Sequence, residues 1–225
     1  MCGRFTLTID PLHLQQVFPW AVIPDDLPPR YNVAPSQPVA VIPNDGQNSL
    51  TMFKWGLVPF WAKDPSIGDR MINARSETLA EKPSFRNAFR RRRCLILSDG
   101  FYEWKQDPAL KGKTPVYIRF EDGRPFAFAG LWEIWNSTDG SEIRSCTIIT
   151  TQPNTLLQPI HNRMPVILPP DSYQEWLSQE DRNPDKYNHL LVPYPSEELV
   201  AYPVSKMVNS PQVDTADLIK PANVT

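Results

Sequence analysis

Proline is the residue that most restricts this chain. It occupies 25 of 225 positions, about 11% where a soluble protein carries about 5%. Each proline fixes φ and lacks an N–H, so it is excluded from helix interiors and from central strands. The chain must therefore be assembled from short elements joined by stiff turns. Asp10-Pro11 reads as an N-cap and first helical residue, and Leu12, Leu14, Val17 and Phe18 follow as a short apolar helix. The prolines between 24 and 38 predict an extended loop. Val39–Ile42 and Leu50–Val58 read as strands flanking Asn44-Asp45-Gly46, a hairpin signal. A short helix is expected over 83–91. Cys94–Leu97, Phe101–Trp104, Val116–Phe120, Phe126–Ile134 and Ile143–Thr150 are rich in aromatic and β-branched residues and read as strands. A helical turn over 155–160, a buried strand over 164–168 and helices over 171–177 and 184–191 complete the pattern. The expectation is one α+β domain over 1–225. Its core is a mostly antiparallel β-sheet or barrel, its helices are peripheral and its tail from 213 to 225 is loosely packed.

Composition excludes several function classes. No apolar run approaches the ~18–20 residues of a membrane span, and the start of the chain lacks the apolar stretch of a secretory signal. A cytoplasmic protein is expected. The three cysteines, Cys2, Cys94 and Cys146, form no CxxC pair and leave one over, which fits a reducing compartment. His13, His161 and His189 lie far apart without metal-ligand spacing, so neither a metal nor a cofactor is expected. No glycine-rich nucleotide loop occurs. The formal net charge is -2, yet residues 1–130 carry a net of +4 and residues 131–225 a net of -6. A nearly neutral protein can still own one positive groove. The densest basic run, Arg86 with Arg90 to Arg93, suits either a solvated helix end or an edge facing a polyanion.

Five short segments hold residue types that do chemistry, and each also admits a plain structural role. Cys2 follows the initiator methionine. Removal of Met1 would leave an exposed α-amine, of ordinary pKa about 7.7–8.0, beside a thiol of about 8.5. That pair can form a Schiff base with an aldehyde and close it to a thiazolidine, which an internal cysteine cannot do. Otherwise Cys2 is an incidental second residue. Glu103 alternates onto the same strand face as Phe101, opposite Tyr102 and Trp104. Burial among aromatics would raise its pKa and suit it to general acid–base work, while pairing with an arginine is the structural alternative. His161, in His161-Asn162-Arg163-Met164-Pro165, can shuttle protons near pH 7 or simply pack. Asn73 could orient a carbonyl or an amine, and Arg75 could bind phosphate; both are equally at home as caps. Trp55 and Trp61 flank an irregular strand end, as core residues or as a platform on which a base stacks.

Read together, these pieces carry a family resemblance along the whole chain. MCGRF at 1–5, YNVAP at 31–35, WGLVPFWA at 55–62, INARSET at 72–78, DGFYEWK at 99–105, FAFAGLWE at 126–133, IHNRMPVIL at 160–168 and VSKMVNSP at 204–211 occur in order at compatible spacing. The chain resembles the SRAP (SOS response-associated peptidase) family of abasic-site processing proteins, in its short bacterial form. The resemblance implies recognition of abasic sites in single-stranded DNA and covalent cross-linking to them, by a protein that is a monomer and joins the nucleoid when bound to DNA. It implies active-site roles for Cys2, Asn73, Glu103 and His161. It further implies strand contacts from Arg4, Arg75, Arg163 and Trp61, with Pro35 near the groove. Two other readings stand beside it: a cysteine peptidase that processes its own start at Cys2, with His161 as base, and a non-catalytic single-stranded DNA-binding module.

Overall fold

The first helix forms as its caps dictate. The Asp10 side chain accepts the His13 N–H at 2.9 Å, Pro11 occupies the first turn, and Leu14 is buried. The computed structural model describes residues 2–106, 112–180 and 183–222. In chain order the strands are β1 (Arg4–Leu7), β2 (Arg30–Val33), β3 (Pro38–Pro43), β4 (Thr51–Trp55), β5 (Asn73–Arg75), β6 (Arg93–Ser98), β7 (Gly100–Gln106), β8 (Lys113–Phe120), β9 (Phe126–Asn136), β10 (Glu142–Thr151), β11 (Met164–Pro165), β12 (Ile167–Leu168) and β13 (Leu199–Pro203). The α-helices are α1 (Pro11–Val17), α2 (Arg86–Arg91) and α3 (Tyr173–Trp176), and short 3₁₀ turns account for the other helical segments. Among the described residues no helix is long and apolar enough to cross a membrane.

The fold is α+β and mostly antiparallel, as the sequence predicts. Strands β13-β8-β7-β1-β2 form one antiparallel sheet. In the other sheet β10 pairs with both β4 and β9, so the path β10-β4-β3-β6-β9 returns to β10 and closes a five-stranded barrel. Closure removes the exposed edges that an open sheet would present. Two pairings, β10 with β4 and β10 with β5, are parallel.

Alternation assigns the cores. Val39, Val41, Phe53, Trp55, Ile96, Phe128 and Ile148 from the barrel pack with Phe5, Phe101, Ile118 and Phe120 from the first sheet. Phe5 lies edge-on to Trp55 and Phe128, with ring centroids 5.1 and 5.8 Å apart. Burying one such ring contributes about 1.5–3 kcal/mol. The outer face of the barrel, including Ile42, Leu95, Leu97 and Leu131, is covered by Leu14, Phe18, Phe89, Tyr173 and Trp176 from the helices. Two glycines are sterically required. A Cβ at Gly130 would sit 2.8 Å from the Cys94 sulfur, and one at Gly100 would sit 2.1 Å from the Tyr117 hydroxyl.

Several expectations are corrected. The segment 24–38 is not wholly loop, because Arg30–Val33 is a strand beside β1. The strand expected over 164–168 is split into β11 and β12, which pair with different partners, β10 and β9. The basic run is divided by burial. Arg93 is fully buried, and its guanidinium donates to the carbonyls of Trp176 (2.9 Å), Phe89 (2.9 Å), Arg90 (2.6 Å) and Ser178, lying 4.3 Å over the Tyr187 ring. It therefore fastens the ends of α2 and α3 and faces no solvent. The tail expected to be loose is tied down through residue 222. Asp214 accepts from Arg30 Nε at 2.6 Å and from the Tyr31 N–H at 2.5 Å, Leu218 is fully buried, and the Ala222 N–H donates to the Pro203 carbonyl at 2.8 Å. The sequence signal for a loose end was proximity to the terminus, which carries no information about partners. Residues 223–225 of that tail lie outside the described residues, as does Met1.

Candidate functional site

Two neighbouring strands of the first sheet position the first two candidates, Cys2 just before β1 and Glu103 within β7. Arg4 pairs with Tyr102 and Phe5 with Phe101, so the start of β1 runs beside the middle of β7. On β7 the alternation holds: Phe101 packs in the central core, while Tyr102 and Trp104 pack on the opposite face with Val204, Val208 and Leu218. Glu103 is thereby turned inward and is 2% exposed. Burial raises its carboxyl pKa to about 7, against the pull of the Trp104 N–H and the Lys113 ammonium. Cys2 is fully buried in the same core. Its thiol donates to the Arg4 carbonyl at 3.8 Å. Burial pushes the thiol pKa far above its ordinary value, and the charge of Glu103 adds to that shift. Cys2 and Glu103 therefore act on one another electrostatically.

The barrel supplies the other two. Asn73 is held on β5 opposite Ile148 of β10. Its Nδ2 donates to the Cys2 carbonyl at 2.8 Å, and its Oδ1 is a buried acceptor with no hydrogen-bond partner among the described residues. His161 ends a tight turn in which its N–H donates to the Leu157 carbonyl at 2.8 Å. His161 Nδ1 lies 3.0 Å from the Arg163 N–H and 3.2 Å from the Arg163 carbonyl, so the Arg163 backbone orients the ring. Partial burial lowers the His161 pKa below its usual value, and the Lys113 ammonium lowers it further. Glu103 and His161 thus share the field of Lys113.

The expected strand contacts divide. Arg75 is exposed, and its guanidinium makes no hydrogen bond or ion pair among the described residues. Arg163 is 9% exposed and donates to both carboxylate oxygens of Glu77, at 2.5 and 2.9 Å, and to the Thr150 carbonyl at 2.6 Å. Arg4 turns to the other side of the sheet. It sits opposite Tyr102 and reaches the sheet face away from Glu103, where Nη1 donates to Asn32 Oδ1 at 2.8 Å and to the Val208 carbonyl at 2.7 Å. Period-two geometry forces this, since the strand that turns Phe5 inward must turn Arg4 outward. Trp55 is buried and donates from Nε1 to the Ile72 carbonyl at 2.8 Å. Trp61 is 47% exposed beside Phe60 at 53%. Their turn is held by the Ala62 N–H to Pro59 carbonyl bond at 2.9 Å and by Trp135 Nε1 on the Ala62 carbonyl at 2.7 Å. Trp61 walls a cavity of about 680 Å³ that Lys63, Asp69 and Arg70 also line. Pro35 sits at the tip of the Ala34–Gln37 turn, where Ser36 adopts a left-handed φ of 68° and its hydroxyl donates to Asp69 Oδ1 at 2.8 Å.

Sequence reasoning missed Glu77 as the counter-ion of Arg163 and Lys113 as a cation whose charge acts on both Glu103 and His161. Glu77 lies within INARSET, two residues from Arg75, but nothing in the motif says which arginine it meets. Lys113 carries no sequence signal. Among the described residues no group of three or more His, Cys, Asp or Glu side chains is placed to hold a metal ion.

Comparison with known proteins supports the resemblance. The family model described as SOS response associated peptidase (SRAP) matches residues 1–211. The abasic site processing protein YoqW of Bacillus subtilis is 48% identical, over 98% of this chain and 99% of its own. The abasic site processing protein HMCES of Rattus norvegicus is 30% identical, over 89% of this chain and 67% of its own. A crystal structure of a protein from Bacteroides thetaiotaomicron superposes with a TM-score of 0.86 at 27% identity, covering 98% of this chain and all of that one.

Proposed function

The chain belongs to the SRAP family, and from that premise we propose that it captures abasic sites in single-stranded DNA as a covalent adduct on Cys2. Residues 1–225 act as one domain in this reading. Removal of Met1 frees the Cys2 α-amine. The amine adds to the open-chain aldehyde of the abasic deoxyribose and expels water, giving an imine. The Cys2 thiol then adds across the C=N bond, its proton passing to the nitrogen, and a five-membered thiazolidine results with no further loss of atoms.

Each neighbour has a defined task. Asn73 Nδ2 fixes the Cys2 carbonyl, and its unpartnered Oδ1 is available to an amine or sugar hydroxyl. Glu103, with a pKa of about 7, is present in both protonation states at neutral pH. It can therefore receive a proton from the attacking amine and return it to the departing water. It also offers a base for a thiol that burial keeps protonated. His161, its pKa lowered by partial burial and its ring oriented by the Arg163 backbone, exchanges a proton with the sugar oxygen. Holding the reactants together contributes several kcal/mol to the rate, up to about 7–11 in favourable cases. Arg75 takes a backbone phosphate, and Arg163 takes a second when the phosphate replaces Glu77. Such contacts set register without reading sequence. Trp61 stacks against a base beside the lesion. The missing base is what admits the sugar, so the identity of flanking bases matters little.

The observation that carries this reading is the Asn73–Cys2 contact beside an inward-facing, desolvated Glu103. The test is a denaturing gel of the protein with a single-stranded oligonucleotide bearing one abasic site. A shifted band that Cys2→Ala abolishes supports the reading. A band kept at full strength by Cys2→Ala, or none with the wild type, defeats it.

A further inference from the structure

The motif VSKMVNSP at 204–211 has no part in the chemistry just described, yet it lies directly behind it. Two residues flanking the reactive pair reach the same residue of that motif. Arg4, two positions after Cys2 and the first residue of β1, donates from Nη2 to the Asn209 carbonyl at 3.5 Å and from Nη1 to the Val208 carbonyl at 2.7 Å. Trp104, adjacent to Glu103, donates from Nε1 to Asn209 Oδ1 at 2.7 Å. Asn32 anchors the same segment, its Nδ2 donating to the carbonyls of Ser210 at 2.9 Å and Val213 at 2.6 Å. We infer that Asn209 is a positioning residue: it ties the segment running from Cys2 into β1 and the strand position bearing Glu103 to one point, and so fixes their separation. This rests on the proposed capture of abasic sites at Cys2.

Alternation gives the mechanism. Trp104 and Glu103 point to opposite faces of β7, so a tether on the Trp104 indole sets the rotation of β7 about its axis and hence the aim of the Glu103 carboxyl. The side-chain oxygen of Asn209 is the part of that tether a substitution can remove without touching the reactive face. Among the described residues the charges that act on Glu103 are those of Cys2 and Lys113, with His161 in the same Lys113 field. Asn209 is held from the opposite face of the sheet, by Arg4 and Trp104, so its substitution leaves those charges in place.

The test compares Asn209→Ala, which loses the acceptor, Asn209→Asp, which keeps it, and Trp104→Phe, which removes the donor and keeps a ring. Single-turnover cross-linking to an abasic oligonucleotide is expected to slow about tenfold in Asn209→Ala and Trp104→Phe, to recover in Asn209→Asp, and to fall no further in the double variant Asn209→Ala/Trp104→Phe. Affinity for an intact single strand stays at the wild-type value. A carbon-13 carboxyl titration is expected to find Glu103 ionising at lower pH in Asn209→Ala, because a loosened strand admits water. Rates within twofold of wild type with an unmoved Glu103 titration overturn the inference, as does slowing that Asn209→Asp fails to rescue. Absence of any adduct with the wild type defeats the capture reading itself, and this inference with it.

Discussion

Glu103→Gln keeps the size of the side chain and removes its charge, and the consequence for stability follows from burial alone. The carboxyl ionises near 4.5 in an open chain and at about 7 in the fold. Between those values the folded state holds a proton that the unfolded state has released. The free energy of unfolding of the wild type therefore falls as pH rises through that window. The shift corresponds to about 3 kcal/mol, fully felt above pH 7 and absent below pH 4.5. Glutamine makes no such contribution. Urea unfolding of both proteins should give a stability difference that is small at pH 4.5 and grows in favour of Glu103→Gln by about 3 kcal/mol at pH 8. The same variant should cross-link slowly at both pH values while binding intact DNA normally. A stability difference that stays constant from pH 4.5 to 8 would mean that Glu103 is not desolvated, and the acid–base role built on it would fail.

Other outcomes follow from the same contacts. Arg75→Gln should lower the slope of log affinity against log salt for single-stranded DNA by about one phosphate's worth, measured by fluorescence anisotropy; an unchanged slope removes Arg75 from the groove. Glu77→Gln removes the anion that a phosphate must displace from Arg163, so affinity for intact single strands should rise severalfold, and a fall would show that Glu77 serves only to hold Arg163 in place. Arg93→Met leaves buried carbonyls of Phe89 and Trp176 without the guanidinium that donates to them and should cost about 3–5 kcal/mol in chemical denaturation.

Much of the architecture was legible in the chain, for identifiable reasons. The Asp10-Pro11 cap fixed the start of α1, and β-branched and aromatic runs located β6 to β10. Alternation placed Glu103 with Phe101 before any fold was known. What escaped the sequence was relational. β2 and β5 are three or four residues long and become strands only because β1 and β10 lie beside them. The barrel closes through a parallel pairing of β10 with β4, which no local pattern announces. The same limit applied to the arginines. Arg4, Arg75, Arg93 and Arg163 look alike in sequence, yet one clamps a distant segment, one stands exposed, one is buried among carbonyls and one is paired with Glu77. Their roles were set by neighbours far away in the chain. The resemblance to a family named the candidate residues but could not tell which of their neighbours were structural.

The account depends on where the lesion's carbon becomes attached. Peptide mapping by mass spectrometry of the adduct formed with an abasic oligonucleotide measures this directly. The predicted result is a sugar remnant on a peptide that begins at Cys2, with the mass of aldehyde plus aminothiol less one water. A remnant on a lysine side chain, or on a peptide that still begins with Met1, would contradict it.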